Sequence, residues 1–121
     1  MTLIAIAAAG ALGAMSRYLV DGFVQDRVQG TFPWGTWVIN VSGSLVLGFL
    51  TGLALYHGTT DTPKLVIGAG FVGAYTTFST FTYEAVRLVE EGSRYEAALN
   101  AATSTVAGLL AAAAGLALAA L

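Results

Sequence analysis

Gly73-Ala74-Tyr75-Thr76-Thr77-Phe78-Ser79-Thr80-Phe81 sets five hydroxyl groups and three aromatic rings inside an otherwise apolar run. Polar groups in hydrocarbon are costly unless they are paired, so such a stretch belongs against protein or along a wet path rather than against lipid. Glycine at Gly73, two β-branched threonines and an N-cap at Thr77 favour a break in the helix over Ala74 to Thr77. A break at midspan exposes backbone groups that only protein, water or an ion can satisfy. An unbroken helix with threonines bonded back to their own carbonyls also fits the periodicity.

The surrounding composition is that of a membrane protein. Of 121 residues 56% are hydrophobic and 10% charged, against roughly 25% charged in soluble domains. That length holds about four spans of roughly 20 residues with short loops, one all-helical domain over residues 1–121. The expected spans are 3–24, 34–56, 64–92 with its break at 74–77, and 95–121. Met1 to Ala14 lacks a basic segment ahead of its apolar run and reads as the first span rather than a cleaved signal.

Several function classes drop out. There are no cysteines, hence no disulfides and no thiolate nucleophile or metal site. The net charge of -2 is scattered and forms no basic patch for nucleic acid. No histidine neighbours a Ser or Thr in a catalytic arrangement, and no CxxC or HExxH spacing occurs, so an enzyme is not expected. The lone His57 reads as a loop residue. Proton-coupled transport needs a titratable group deep in the membrane; Glu84, the carboxylate nearest an apolar segment, lies near that segment's end.

Helical spacing then organises the polar residues. Gly10 with Ala14, and Gly13 with Arg17, make small-residue ridges on the first span. Arg17 and Asp21, also four apart, suit either an interfacial anchor or a charge at the mouth of an ion path. Pro33 starts the second span beside the interfacial aromatics Phe32, Trp34 and Trp37. Thr36, Asn40, Ser44, Gly48 and Gly52 share one ridge of that span, with Asn40 either interhelical glue or a pore donor. Asn100, Ser104 and Gly108 share a face of the last span.

Passive permeation suits this set better than turnover. Phe78 and Phe81 are i,i+3 neighbours whose positive ring edges make a mild anion site, unless both rings only pack. Hydroxyl and amide donors beside them replace part of an anion's hydration shell without trapping it. Arg27 and Arg94 fall on one side and Lys64 on the other, with the helix-end Arg17 and Arg87 tilting the count. So weak a bias permits insertion both ways up, and with it a dual-topology dimer.

Three motifs together resemble the Fluc (CrcB) family of fluoride channels. They are Gly10-x-x-Gly13-Ala14-x-x-Arg17-Tyr18, Gly35-Thr36-x-x-x-Asn40-x-x-Gly43, and Gly73-x-x-Thr76-Thr77-Phe78-Ser79-Thr80-Phe81-x-x-Glu84. The resemblance implies a fluoride-selective passive channel exporting toxic fluoride across the cell (inner) membrane, built as an antiparallel homodimer in the lipid bilayer with two pores. It implies Phe78 and Phe81 as fluoride residues, Asn40 as a pore donor with Ser79 and Thr80 beside it, and Glu84 and Arg17 as the family's vestibule glutamate and first-helix arginine. It also implies that the Gly73 and Thr76 carbonyls hold a structural sodium ion at the dimer centre. On the last span Asn100 stands where the family often has tyrosine, followed by Ser104, with Gly108 where a further hydroxyl is often found. The rival readings are a small dual-topology multidrug/proton antiporter and a non-transporting assembly subunit. The antiporter needs a central carboxylate in its first helix, and Leu3 to Ser16 contains none.

Overall fold

Four helices long and apolar enough to cross a membrane follow one another along the chain. The computed structural model describes residues 1–58 and 61–121. α1 is Thr2–Arg27 and α2 is Trp34–His57. α3 covers 61–75 as a short turn Asp61–Pro63, a π-helical stretch Lys64–Val72 and a last turn Gly73–Tyr75. α4 is Phe78–Glu90 and α5 is Arg94–Ala119. The third span is therefore α3 plus α4 with an interruption between them.

Several ends differ from the expected bounds for a local reason, while α2 begins at Trp34 as expected. α1 runs one turn further, through Arg27, because Gln25 Nε2 donates to Asp21 Oδ1 at 2.9 Å and the Arg27 guanidinium lies 3.7 Å above the Phe23 ring. Pro33 is the N-cap of α2 rather than its first helical residue, its carbonyl accepting the Trp37 N–H at 3.1 Å. α4 ends earlier than expected, in a Schellman turn: Gly92 at φ 84° lets its own N–H reach the Val89 carbonyl at 3.1 Å while Ser93 N–H reaches Leu88 at 2.8 Å. The loop expected over 57–63 includes Thr59 and Thr60, which lie outside the described residues. His57 closes α2, its Nε2 standing 2.6 Å from the Ala119 carbonyl oxygen at the end of α5.

Small residues decide which helices meet. α2 packs most extensively on α5 and α1 on α3. On the first seam Gly48 lies against the Ala112 backbone, Gly115 against Leu45 and Phe49, and Gly52 against the Ala119 methyl. On the second, Gly13 lies against the Phe71 backbone and Gly70 against Ile6 and Ala9. A Cβ at any of these glycines would collide with its neighbour, so the backbones approach as closely as small-residue interfaces in lipid allow. The ridge read on α2 thus divides: its Gly48 and Gly52 half binds α5, Thr36 and Asn40 face polar partners described next, and Ser44 Oγ donates back to the Asn40 carbonyl at 2.8 Å.

Candidate functional site

The interruption of the third span is narrower than expected. Ala74 and Tyr75 remain helical, and the break is the dipeptide Thr76–Thr77, extended at φ/ψ of -80°/161° and -148°/123°. Thr76 closes α3, its N–H and Oγ1 both donating to the Val72 carbonyl at 2.9 Å. Thr77 caps α4, its Oγ1 accepting the Thr80 N–H at 3.1 Å. Both threonines expected to disturb the helix do so, one from each side.

Asn40 occupies the gap. Its Nδ2 donates to the Thr77 carbonyl at 2.8 Å and its Oδ1 accepts the Thr77 N–H at 2.9 Å. In an unbroken helix that N–H would bond the Gly73 carbonyl, four residues back. Asn40 is therefore interhelical glue of a particular kind: it serves the backbone groups that the break sets free. The neighbouring residues are held by α2 as well. The Thr76 methyl fills the space that a Cβ at Gly43 would take, and Ser42 Oγ lies 3.0 Å from the Tyr75 hydroxyl. The Tyr75 ring stacks on Phe71 with centroids 5.9 Å apart.

Next to this braced segment Phe78, Ser79 and Thr80 are exposed, Phe78 to 76%. Its ring and that of Phe81 lie 6.1 Å apart at 45°, so their edges share one region of α4 without stacking. A cavity of about 260 Å³ beside them is lined by Asn40, Ser44, Thr76, Thr77 and Phe78 with apolar Leu47 and Val72. The structure therefore brings Asn40 and Phe78 to one space.

A wider cavity of about 450 Å³ opens at one end of the bundle, with Glu84, Asp21, Arg87 and Glu91 in its wall. Glu84 Oε1 accepts a hydrogen bond from Thr36 Oγ1 at 2.5 Å. Arg17 is partly buried, lines neither cavity, and forms no ion pair among the described residues. On α5, Asn100 is 1% exposed, with Oδ1 accepting from Ser104 Oγ at 3.2 Å and Nδ2 without a partner among the described residues. Gly108, on the same face, lies against Ser44, whose Oγ would be 3.5 Å from a Cβ at that position.

Sequence reasoning passed over three contributors. Thr36 is read there as part of a ridge and of a motif but given no partner, Ser42 is not read, and Tyr75 is read only as one hydroxyl and one ring of the opening stretch. The i,i+4 spacing of Thr36 and Asn40 is a signal for the first. The other two meet across 33 residues of chain, for which a single sequence carries no local sign.

A family model described as CrcB-like protein, Camphor Resistance (CrcB), matches residues 4–116. A fluoride-specific ion channel FluC 1 of Symbiobacterium thermophilum is 48% identical over 120 residues, 98% of this chain and 97% of its own. FluC 1 of Streptomyces avermitilis is 48% identical over 115 residues, covering 95% and 93%. FluC 1 of Leifsonia xyli subsp. xyli is 50% identical over 99 residues, covering 82% and 72%.

Proposed function

The chain belongs to the CrcB family, and from that membership we propose that it is a fluoride-selective passive ion channel of the cell membrane, not an enzyme. The observation that carries the mechanism is the junction of the third span. There a braced break, two adjoining phenyl rings and a cavity lie together. The ring edges of Phe78 and Phe81 offer weak positive potential. Asn40, Ser79, Thr80 and the buried Asn100, whose Oδ1 accepts the Ser104 proton, supply neutral donors that replace hydration in steps and release the ion again. Glu84, hydrogen-bonded to Thr36 in the wall of the wider cavity, borders the entrance, and Arg17 lies on α1 toward the same end. With no carboxylate between Leu3 and Ser16, the antiporter reading has no proton carrier in the membrane-central part of α1, whose two carboxylates, Asp21 and Asp26, lie in its last two turns.

The functional unit in this reading is an antiparallel homodimer. Its support is the exposure of Phe78, Ser79 and Thr80, which a single chain leaves uncovered. A structural sodium ion at the dimer centre fits the residues present. The Thr77 N–H goes to Asn40 instead of Gly73, and among the described residues no hydrogen bond ends on the Thr76 carbonyl. Both oxygens lie at the negative end of α3. The Gly73 and Thr76 carbonyl oxygens would hold a hard cation, which would offset their partial negative charge.

Liposomes loaded with fluoride and containing the purified protein are expected to release fluoride passively while chloride stays inside. Fluoride retention equal to that of empty vesicles would sink the channel reading. Tags on one terminus are expected to be accessible from both sides of the membrane; one-sided labelling removes the antiparallel dimer.

A further inference from the structure

The trans peptide is planar, so the Thr77 N–H and the Thr76 C=O of one peptide unit point in opposite directions. Asn40 Oδ1 accepts that N–H, which turns the Thr76 carbonyl away from the Asn40 carboxamide. The same bond withdraws the Thr77 N–H from the Gly73 carbonyl. One side chain therefore frees two oxygens, and its second bond, from Nδ2 to the Thr77 carbonyl, keeps the amide from rotating. A further anchor lies two residues away. Ser42 O–H donates to the Ile39 carbonyl at 3.1 Å, so its single proton is committed and the Tyr75 O–H must donate to Ser42 Oγ. Residues 75, 76 and 77 are thus each registered on α2, by a hydroxyl, a methyl on Gly43 and a carboxamide.

We infer that Asn40, assisted by Ser42 acting through Tyr75, is a positioning residue for a cation cradle at the Gly73 and Thr76 carbonyls, a role separate from any contact it makes with a permeating anion. The inference rests on the sodium reading given above. It joins the two ions through one amide: the group beside the Phe78 cavity is also the group that aims the carbonyls.

The test is thermal unfolding of the purified, assembled protein, with sodium titrated against N-methyl-D-glucamine at fixed ionic strength. Wild type is expected to gain stability with sodium. Asn40→Ala is expected to lose that gain, whereas Asn40→Asp, which keeps an oxygen for the Thr77 N–H, retains it even if its fluoride flux is abolished. A full sodium response in Asn40→Ala, or its loss in Asn40→Asp and Asn40→Ala alike, overturns the inference. Tyr75→Phe keeps its ring on Phe71 and loses only the hydroxyl; its half-saturating sodium concentration is expected to rise about threefold to tenfold, the worth of one hydrogen bond. Should Asn40→Ala fail to assemble, an unchanged sodium requirement in Tyr75→Phe overturns the inference by itself. Wild type indifferent to sodium overturns the cation reading together with this one, while a sodium-sensitive wild type matched by Asn40→Ala overturns only this one.

Discussion

The two sides of the break in the third span are built on opposite plans. Thr76 and Thr77 are held by α2 through a methyl contact, a paired carboxamide and, one residue earlier, a hydroxyl. Phe78, Ser79 and Thr80, immediately after them, project out of the chain, and the Phe78 ring has Phe81 as its aromatic neighbour. The difference separates what one chain completes from what it leaves open. Backbone N–H groups stripped of helix partners in a membrane must be satisfied at once or the fold is lost, so Asn40 pairs the Thr77 amide within the chain and only the Gly73 and Thr76 oxygens are left for the proposed cation. An aromatic ring carries no such debt and can stay uncovered until another surface, or an ion, meets it.

Substitutions on the two sides should therefore fail differently. Gly43→Val places side-chain atoms where the Thr76 methyl already sits. Overpacking at such a contact costs about 1–3 kcal/mol, and fluoride efflux is expected to vanish along with the loss of thermal stability. Phe78→Ile, at a position 76% exposed, is expected to change the stability of the chain by less than about 0.5 kcal/mol. It removes a ring edge, and efflux from liposomes should fall by about tenfold, the upper end of what an aromatic interaction contributes. Equal destabilisation by the two variants would erase the distinction between a finished and an open side.

Much of this was legible in the chain, and the limits are physical. The four spans follow from apolar run length, and the capacity of α2 for close contact from small residues at four-residue spacing such as Gly48 and Gly52, though not which helix meets them. Those patterns are local and periodic. The break was readable to within two residues, because Gly73 permits but does not compel an exit from helical geometry; Ala74 and Tyr75 stayed helical. What stops α3 is the extended backbone of Thr76 and Thr77, with the Thr77 N–H turned to Asn40, 37 residues away. Spacing alone left Asn40 suspended between glue and pore donor, since a carboxamide serves either purpose. Its partner had to be seen. The same holds for Tyr75, whose phenol finds Ser42, and for Thr36, whose hydroxyl finds Glu84.

A smaller effect is expected inside the braced side itself. Thr77→Val keeps the β-branched shape and both backbone bonds to Asn40 but removes the oxygen that caps α4. The Thr80 N–H is left without its acceptor, which costs about 1 kcal/mol. Fluoride efflux should survive in large part, because the extended geometry of residue 77 is held by its backbone rather than by its cap. Efflux falling as far as in Phe78→Ile would mean that the cap, not Asn40, keeps the break open.

The smallest change is expected where the comparison is weakest, at the wider cavity. Thr36 is 5% exposed, and its hydroxyl donates to a Glu84 carboxylate that shares the cavity wall with Asp21. Thr36→Val preserves volume and removes the donor, leaving Glu84 to be solvated from the cavity side. The substitution is expected to lower stability by about 0.5–1 kcal/mol and to reduce efflux less than Phe78→Ile does, because the change lies one helical turn from Asn40 and away from the rings. Efflux measured on both variants in the same liposome preparation decides it. A Thr36→Val loss as large as that of Phe78→Ile would move Glu84 from the wall of the entrance onto the path of the ion, and the open side of the break would then extend from Phe78 to the end of the bundle.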